Sequence, residues 1–393
     1  MKTKPGLGVG ARALLAAMAV WLAGCGGGVG EGGTGNGYTQ GAITGFGSIF
    51  VDDVRFDDRA ATVLDADGGS RSRDDLRLGM TVEVESDAIA GGSGNASATA
   101  IRIRFASDLL GPVASVDRAS GTFAMLGQAV SISAATVFDE RLAGGLAAIS
   151  AGQMLEVYAS FDPVSGRYRA TRVEPASHAS TFRLRGVVSA LDVQAKRFRI
   201  GSAECDFASA GNVPAGVSNG SHVRLSLQPG AALSGRWSVL SLSSGVTAPP
   251  DGHEARVRGF ITTFTSTQLF SVDGHPVNAA AARFPDGVTV GPGVRVEVEG
   301  RVSGGVLQAS RVSIRTDGQE DQQTFQLAGS IMSVNATGRT FLMRGVTVDF
   351  GHGGMHMEMG SIADIVPGRQ VQVRGTLSGD GTRLEAVLIS FGP

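Results

Sequence analysis

Two histidines and three methionines crowd into one decapeptide of this 393-residue chain, Gly351-His352-Gly353-Gly354-Met355-His356-Met357-Glu358-Met359-Gly360. Imidazole mixed with thioether suits Cu(I) or Cu(II) better than a hard cation, so His352, Met355, His356, Met357 and Met359 make a candidate copper site. Gly353-Gly354 disfavours a helix that would carry His352 and His356 on one face, and no second cluster supplies further ligands. The competing reading is an insert whose methionines cover the end of a small barrel. Asp65-Ala66-Asp67-Gly68-Gly69 spaces carboxylates as the opening of a calcium loop does. The position where a closing glutamate belongs holds Leu76, which favours a solvated hairpin loop. There is no serine elbow, no His/Asp partner set and no zinc-protease helix, and His178, His222, His253 and His275 stand singly. The expectation is a non-enzymatic protein with no catalytic residues and no cofactor beyond the candidate copper ion.

The elements that must position these residues come as a repeat. A glycine followed two positions on by an aliphatic residue recurs as Gly41/Ile43, Gly111/Val113, Gly186/Val188, Gly259/Ile261 and Gly329/Ile331, at spacings of 70 to 75 residues. Such a period marks a tandem array. Each copy continues with an aromatic-led strand, at Phe123, Phe198, Phe270 and Phe341, with Phe50 as the looser equivalent in the first. A core valine follows at Val130, Val277 and Val346, and Cys205 takes that place in the third copy as a small buried hydrophobe. After a variable insert, a turn glycine (Gly79, Gly152, Gly220, Gly293, Gly368) leads into an alternating strand. In the fourth copy the alternation puts Val294, Val296 and Val298 on one face and Arg295, Glu297 and Glu299 on the other, a half-buried strand.

The first 25 residues address the compartment. Lys2, Lys4 and Arg12 precede a short apolar run that ends in Leu22-Ala23-Gly24-Cys25, a secretory signal too short for a stable span. Those four residues resemble the lipobox of bacterial lipoproteins. The resemblance implies that Cys25 is lipidated, becomes the mature N-terminus and holds the protein to a membrane through its lipid. Gly26, in place of an aspartate, leans the placement towards the outer membrane of the cell envelope, periplasmic or surface-facing. Residues 25–40, rich in glycine, read as a flexible tether. Loss of residues 1–24 removes three of 34 basic residues and leaves 31 against 36 acidic ones, a net charge of −5. With only 6% aromatic residues, a mildly acidic chain lacks both the positive field and the stacking platforms of a nucleic-acid binder. One remaining cysteine excludes an internal disulfide, so stability must come from burial.

Five short strands per copy, with helix-permissive inserts at 139–149 and 361–365, suggest an all-β tandem array of five small five-stranded OB-like antiparallel barrels. The bounds are 41–106, 108–175, 181–243, 254–315 and 324–391. The chain resembles a family of unnamed function found as tandem repeats in proteobacterial lipoproteins, and that resemblance implies the same barrel. Each barrel is expected to be sealed by its own aliphatic interior. The short joint at Ser107-Asp108 should couple the first two barrels stiffly, while the joints at 243–252 and 316–323 should hinge. The functional expectation is an envelope module that binds or spaces, offering barrel faces to another protein or a glycan.

Overall fold

The computed structural model describes residues 36–392 apart from 92–94, 178, 231–234, 286–288, 317 and 320–321. The leader, Cys25, His178 and the glycine-rich stretch to residue 35 lie outside the described residues. The chain is all-β, with short 3-10 turns at Arg73–Asp75, Glu140–Leu142, Gly145–Ala148 and Ile362–Asp364. Among the described residues no helix is long and apolar enough to cross a membrane.

One pairing circuit recurs along the chain. In barrel one, strand Gly37–Phe46 pairs antiparallel with Ile49–Val51, which pairs with Val54–Asp57. Val54–Asp57 runs parallel to Ser97–Phe105, and Thr81–Ser86 closes the ring between Ser97–Phe105 and the first strand. The order first, second, third, fifth, fourth, first is the closed OB plan. It closes in the same way in barrel two (109–175), barrel three (182–244), barrel four (254–314) and barrel five (325–391). Closure pairs every strand within its ring and leaves open only the outer half-edges of the first strand, one half pairing with the second strand and the other with the fourth.

The two glycine signatures of the sequence are partners in space. The amides of Gly79, Gly152, Gly220, Gly293 and Gly368 donate to the carbonyls of Ile43, Val113, Val188, Ile261 and Ile331 at 2.8 to 3.0 Å. All five glycines have φ between 72° and 90°, a conformation that costs little only without a Cβ. This contact fixes where the fourth strand enters against the bend of the first. The first-strand glycine has a second task. A Cβ on Gly259 would lie 2.4 Å from the Asp273 side chain, and one on Gly111 would lie 2.8 Å from Leu126. Both neighbours sit at the tip of the hairpin joining strands two and three, where Asp52-Asp53, Leu126-Gly127, Asp273-Gly274 and Arg344-Gly345 all have positive φ. Paired positive φ values are those of the tight two-residue hairpin turn.

The core positions shift from the sequence expectation in two places. Phe123, Phe198, Phe270 and Phe341 face Val130, Cys205, Val277 and Val348 across the second hairpin, so Val348, fully buried, takes the role expected of the half-buried Val346. In barrel one the pair is reversed. Ile49 faces Phe56, both fully buried, while Phe50 points outward. The large residue has moved to the opposite strand, keeping the volume of the pair. Cys205 is buried, and burial pushes its thiol up to about 12.

The barrels are not sealed separately. One apolar cluster runs through barrels one and five, joining Phe46, Phe56 and Met80 to Leu327, Met343 and Phe391 and taking in Val137 and Tyr158 of barrel two, and a second runs through barrels two and three. A third lies in barrel four and takes in Tyr38 from barrel one. Strand pairing crosses the same seams: residues 37–40 run parallel to 254–257, Gly45-Phe46 to Gln326-Leu327, and 109–110 pairs antiparallel with 183–184. Gly37 to Gln40, the last four residues of the stretch read as tether, are therefore part of the first strand. These seams follow from size, since a barrel of about 65 residues buries only about 60% of its unfolded surface.

Candidate binding groove

Charged side chains converge where barrels meet, and two groups of them do different work. The first is buried. Arg185, next to the signature Gly186, donates to Asp108 Oδ1 at 3.0 Å, to the Gly245 carbonyl at 2.6 Å and to the Asp273 carbonyl at 3.2 Å. One guanidinium thus ties barrel three to the start of barrel two, to barrel four and to the 243–252 joint that was expected to hinge. Asp273 also accepts from Ser160 Oγ of barrel two at 3.2 Å, and His275 Nε2 meets Gln40 Oε1 of barrel one. A parallel knot joins barrels one and four: Asp52 contacts Arg258, and Glu297 binds Arg258 at 3.3 Å and also Arg315. Glu297, read from alternation as an outward residue, is 7% exposed.

These sites carry shifted acidities with one dominant cause. Burial raises Asp273 to about 6 and Asp52 to about 7, against the pull of Arg185 and Arg258 respectively. Burial lowers His222 and His275 to about 3, helped in both by the Arg185 charge. The groups are packed between barrels with little room beside them. The cavity flanked by Gln40, Glu83, Asp108, Arg185 and Arg224 has a volume of about 30 Å³, on the scale of one water molecule. The buried cluster is a joint.

The second group opens to solvent. A groove of about 580 Å³ runs between barrels one and two. Barrel one contributes Asp65, Asp67, Arg71, Asp75 and Arg77; barrel two contributes Asp139, Glu140, Arg141, Glu156 and Glu174; barrel three contributes Arg183. Met80, Phe105 and Tyr158 line it as well. Seven carboxylates stand against four guanidiniums. Most are committed: Arg71 to Asp65 at 2.7 Å, Arg141 to Asp139 at 2.7 Å, Arg183 to Glu156 at 3.3 Å, while Arg172 beneath holds Asp139 at 2.9 Å and Glu174 at 2.6 Å. Arg77 donates to the carbonyls of Asp74 and Leu76. Burial raises Asp139, but hydrogen bonds from Arg141 and the Arg172 charge outweigh it and hold the carboxyl below its ordinary value. Burial raises Glu156, its largest influence.

The Asp65-Ala66-Asp67-Gly68-Gly69 segment forms the hairpin loop favoured from sequence. Asp65 Oδ1 accepts from the amides of Asp67 at 3.0 Å and Gly69 at 2.8 Å, and Oδ2 pairs with Arg71, so its oxygens are spent on the loop. The His/Met segment lies on barrel five. His356–Glu358 forms a short strand parallel to the last one, with His356 exposed and Met357 half-buried on the opposite face. Met355 and Met357 pack against the apolar cluster of barrels one and five. His352 lies 3.4 Å from Glu385, and Met359 is 73% exposed. The strand thus turns its imidazole and its thioether to different sides. Among the described residues no group of three or more His, Cys, Asp or Glu side chains is arranged to hold a metal ion. Sequence reasoning missed Tyr158, Glu140 and Arg183, which stand in different copies of the repeat with no local motif to mark them.

No curated protein matches the chain. Among solved structures, a Drosophila protein, "drosophila Unr CSD456", is 12% identical over 49% of this chain and 89% of its own length, with a TM-score of 0.14. Three segments, residues 111–174, 258–313 and 328–389, match the family model described as a domain of unknown function, DUF5666, and they fall within barrels two, four and five.

Proposed function

We propose that this chain is a lipid-anchored envelope protein whose packed barrels bind a partner without catalysing a reaction. The observation that carries the reading is the groove between barrels one and two. It is an open concave surface where side chains from three barrels converge, and ion pairs hold those side chains in place. The buried acids and His275, by contrast, are enclosed between barrels and engaged with Ser160, Arg185 and Gln40. Cys25 supplies the lipid and the glycine-rich segment after it sets the folded part off the membrane.

Two measurements test this. Radiolabelled palmitate should enter the wild-type chain in a bacterial host and fail to enter Cys25→Ala, with the variant released to the soluble fraction; equal labelling of both would remove the anchor. Cross-linking of the full chain in envelope preparations should yield a discrete partner band that Glu140→Arg abolishes. A band unchanged in that variant would remove the groove from the binding role.

A further inference from the structure

We infer that two copies of this chain pair edge to edge through the first strand of barrel four, residues 262–266 lying antiparallel to their counterparts about a two-fold axis. This goes beyond the groove reading and does not depend on it.

Each first strand has an early half that pairs with strand four and a late half that pairs with strand two, and the outer edge of each half is open to a neighbour. The early halves are all used in seams: 37–40 with 254–257, 109–110 with 183–184, and 326–327 with the late half of barrel one at 45–46. The late halves of the other four barrels meet no further strand among the described residues. Three of these are guarded. Barrel two's ends at Asp117 beside Arg118, barrel three's ends at Asp192, and barrel five's is only three residues long. Charge and shortness are the usual ways in which an edge avoids pairing. Barrel four's late half has neither. From Phe260 to Val272 its hairpin holds no charged residue, no glycine and no proline, a composition that favours addition of a strand.

Barrel one shows what such an edge does when it is covered. Gly45-Phe46 and Thr263-Phe264 occupy the same positions of the repeat, just beyond Ile43 and Ile261. Under barrel five Phe46 is 3% exposed, whereas Phe264 is half-buried, Thr263 and Thr265 are exposed, and Leu269 across the hairpin is 50% exposed. Bulges interrupt the barrel-four ladder at 261/263 and 264/266; the first has its counterpart at 43/45 in barrel one, where pairing continues beyond it. The partner differs, however. A Cβ on Gly45 would lie 2.7 Å from the Gln326 carbonyl, and Thr263 carries that Cβ, which excludes a barrel docked in parallel as closely as barrel five is on barrel one. First strands of this chain also meet antiparallel, at the seam of barrels two and three. A second copy offers barrel four that arrangement with an identical edge. About a two-fold axis the strand opposes no like charges and sets threonines against threonine and phenylalanine, pairs that stabilise a ladder.

The test is sedimentation velocity of the mature chain carrying Cys25→Ala, from about 1 to 100 μM, the range in which a small interface associates. A reversible monomer–dimer equilibrium is expected. Thr263→Lys with Thr265→Lys, both at exposed positions, should leave the melting curve unchanged and weaken the dimer roughly tenfold by opposing like charges. Thr263→Glu with Thr265→Glu should do the same. Mixed in equal amounts, the lysine and glutamate variants should recover a heterodimer, which damaged folds would not do. Ser333→Lys, on the late half of barrel five, should leave association as in wild type. A dimer that persists in the lysine variant, charged variants that ignore each other, or equal weakening by Ser333→Lys each overturns the inference. A chain monomeric at every concentration also overturns it, and slowed amide exchange at 262–266 on adding an extended threonine–valine peptide would then assign the edge to a foreign strand.

Discussion

Asp273 and His275 flank one turn glycine, and their titrations oppose each other. Asp273 is raised from 3.8 to about 6, so its contribution to stability is complete below about 4 and is lost as pH rises through 6. His222 and His275 are lowered from 6.5 to about 3, so theirs is complete above 6.5 and is lost as pH falls towards 3. Between pH 4 and 6 unfolding takes protons onto the histidines and releases one from Asp273. Asp273→Asn keeps an acceptor for Ser160 and removes only the opposing slope. Its stability should therefore rise with pH more steeply than wild type over that window, by up to about 1.4 kcal/mol per pH unit. Thermal unfolding at pH 4, 5 and 6 checks this, and parallel curves for the two proteins would show that Asp273 does not hold its proton when buried. None of this was legible in the sequence, where these histidines stand alone. Their environment is made by Gln40, Arg185 and Ser160, residues of three other barrels.

At the scale of strands and hairpins the sequence spoke more clearly. The signature glycines, the alternation of buried valines and the aromatic-led second strand all report contacts made inside one barrel, where the spacing between partners is constant. They sufficed for the barrel class and for most of the core. They failed at Phe50, because the spacing of aromatic residues in barrel one matches its neighbours only if the Ile49/Phe56 pair is read as an inversion. That inversion is testable. Ile49→Phe alone should overpack the site at a cost of about 1–3 kcal/mol, and Phe56→Val alone should open a cavity and cost a similar amount or more. The double variant, which restores the arrangement of the other barrels, should recover most of the loss in a urea-unfolding cycle, with a coupling of about 1 kcal/mol or more. Additive losses would mean that the two sides of the hairpin are not interchangeable.

For the whole molecule, a tandem sequence did not mean a string of separate parts. Barrels one and five share an apolar cluster although they are the most distant in sequence. The repeat cannot announce such a seam, because the residues that build it lie on faces that alternation assigns to solvent, as Glu297 shows between barrels one and four. The groove was hidden for the same reason: only its Asp65-Asp67 loop forms a local motif. Ending the chain after residue 316 should uncover Phe46 and Met80 and strip Gly45-Phe46 of its strand partner. The expected result is strong binding of an environment-sensitive apolar dye and early loss of barrel one on heating, with barrel two weakened by the loss of the Phe138–Gly381 contact and barrel three melting as before. A truncated protein whose first barrel melts unchanged would show that the shared cluster contributes little.

The strand at Gly37–Phe46 is made early by the ribosome, yet two of its neighbours, at 254–257 and 326–327, emerge more than two hundred residues afterwards. During that interval its free edge is open to pairing with other nascent chains, the hazard of any late-satisfied β-edge. Maturation is thus paced by the arrival of the far end, and a protein interrupted during synthesis would be left with its oldest segment still waiting for a partner.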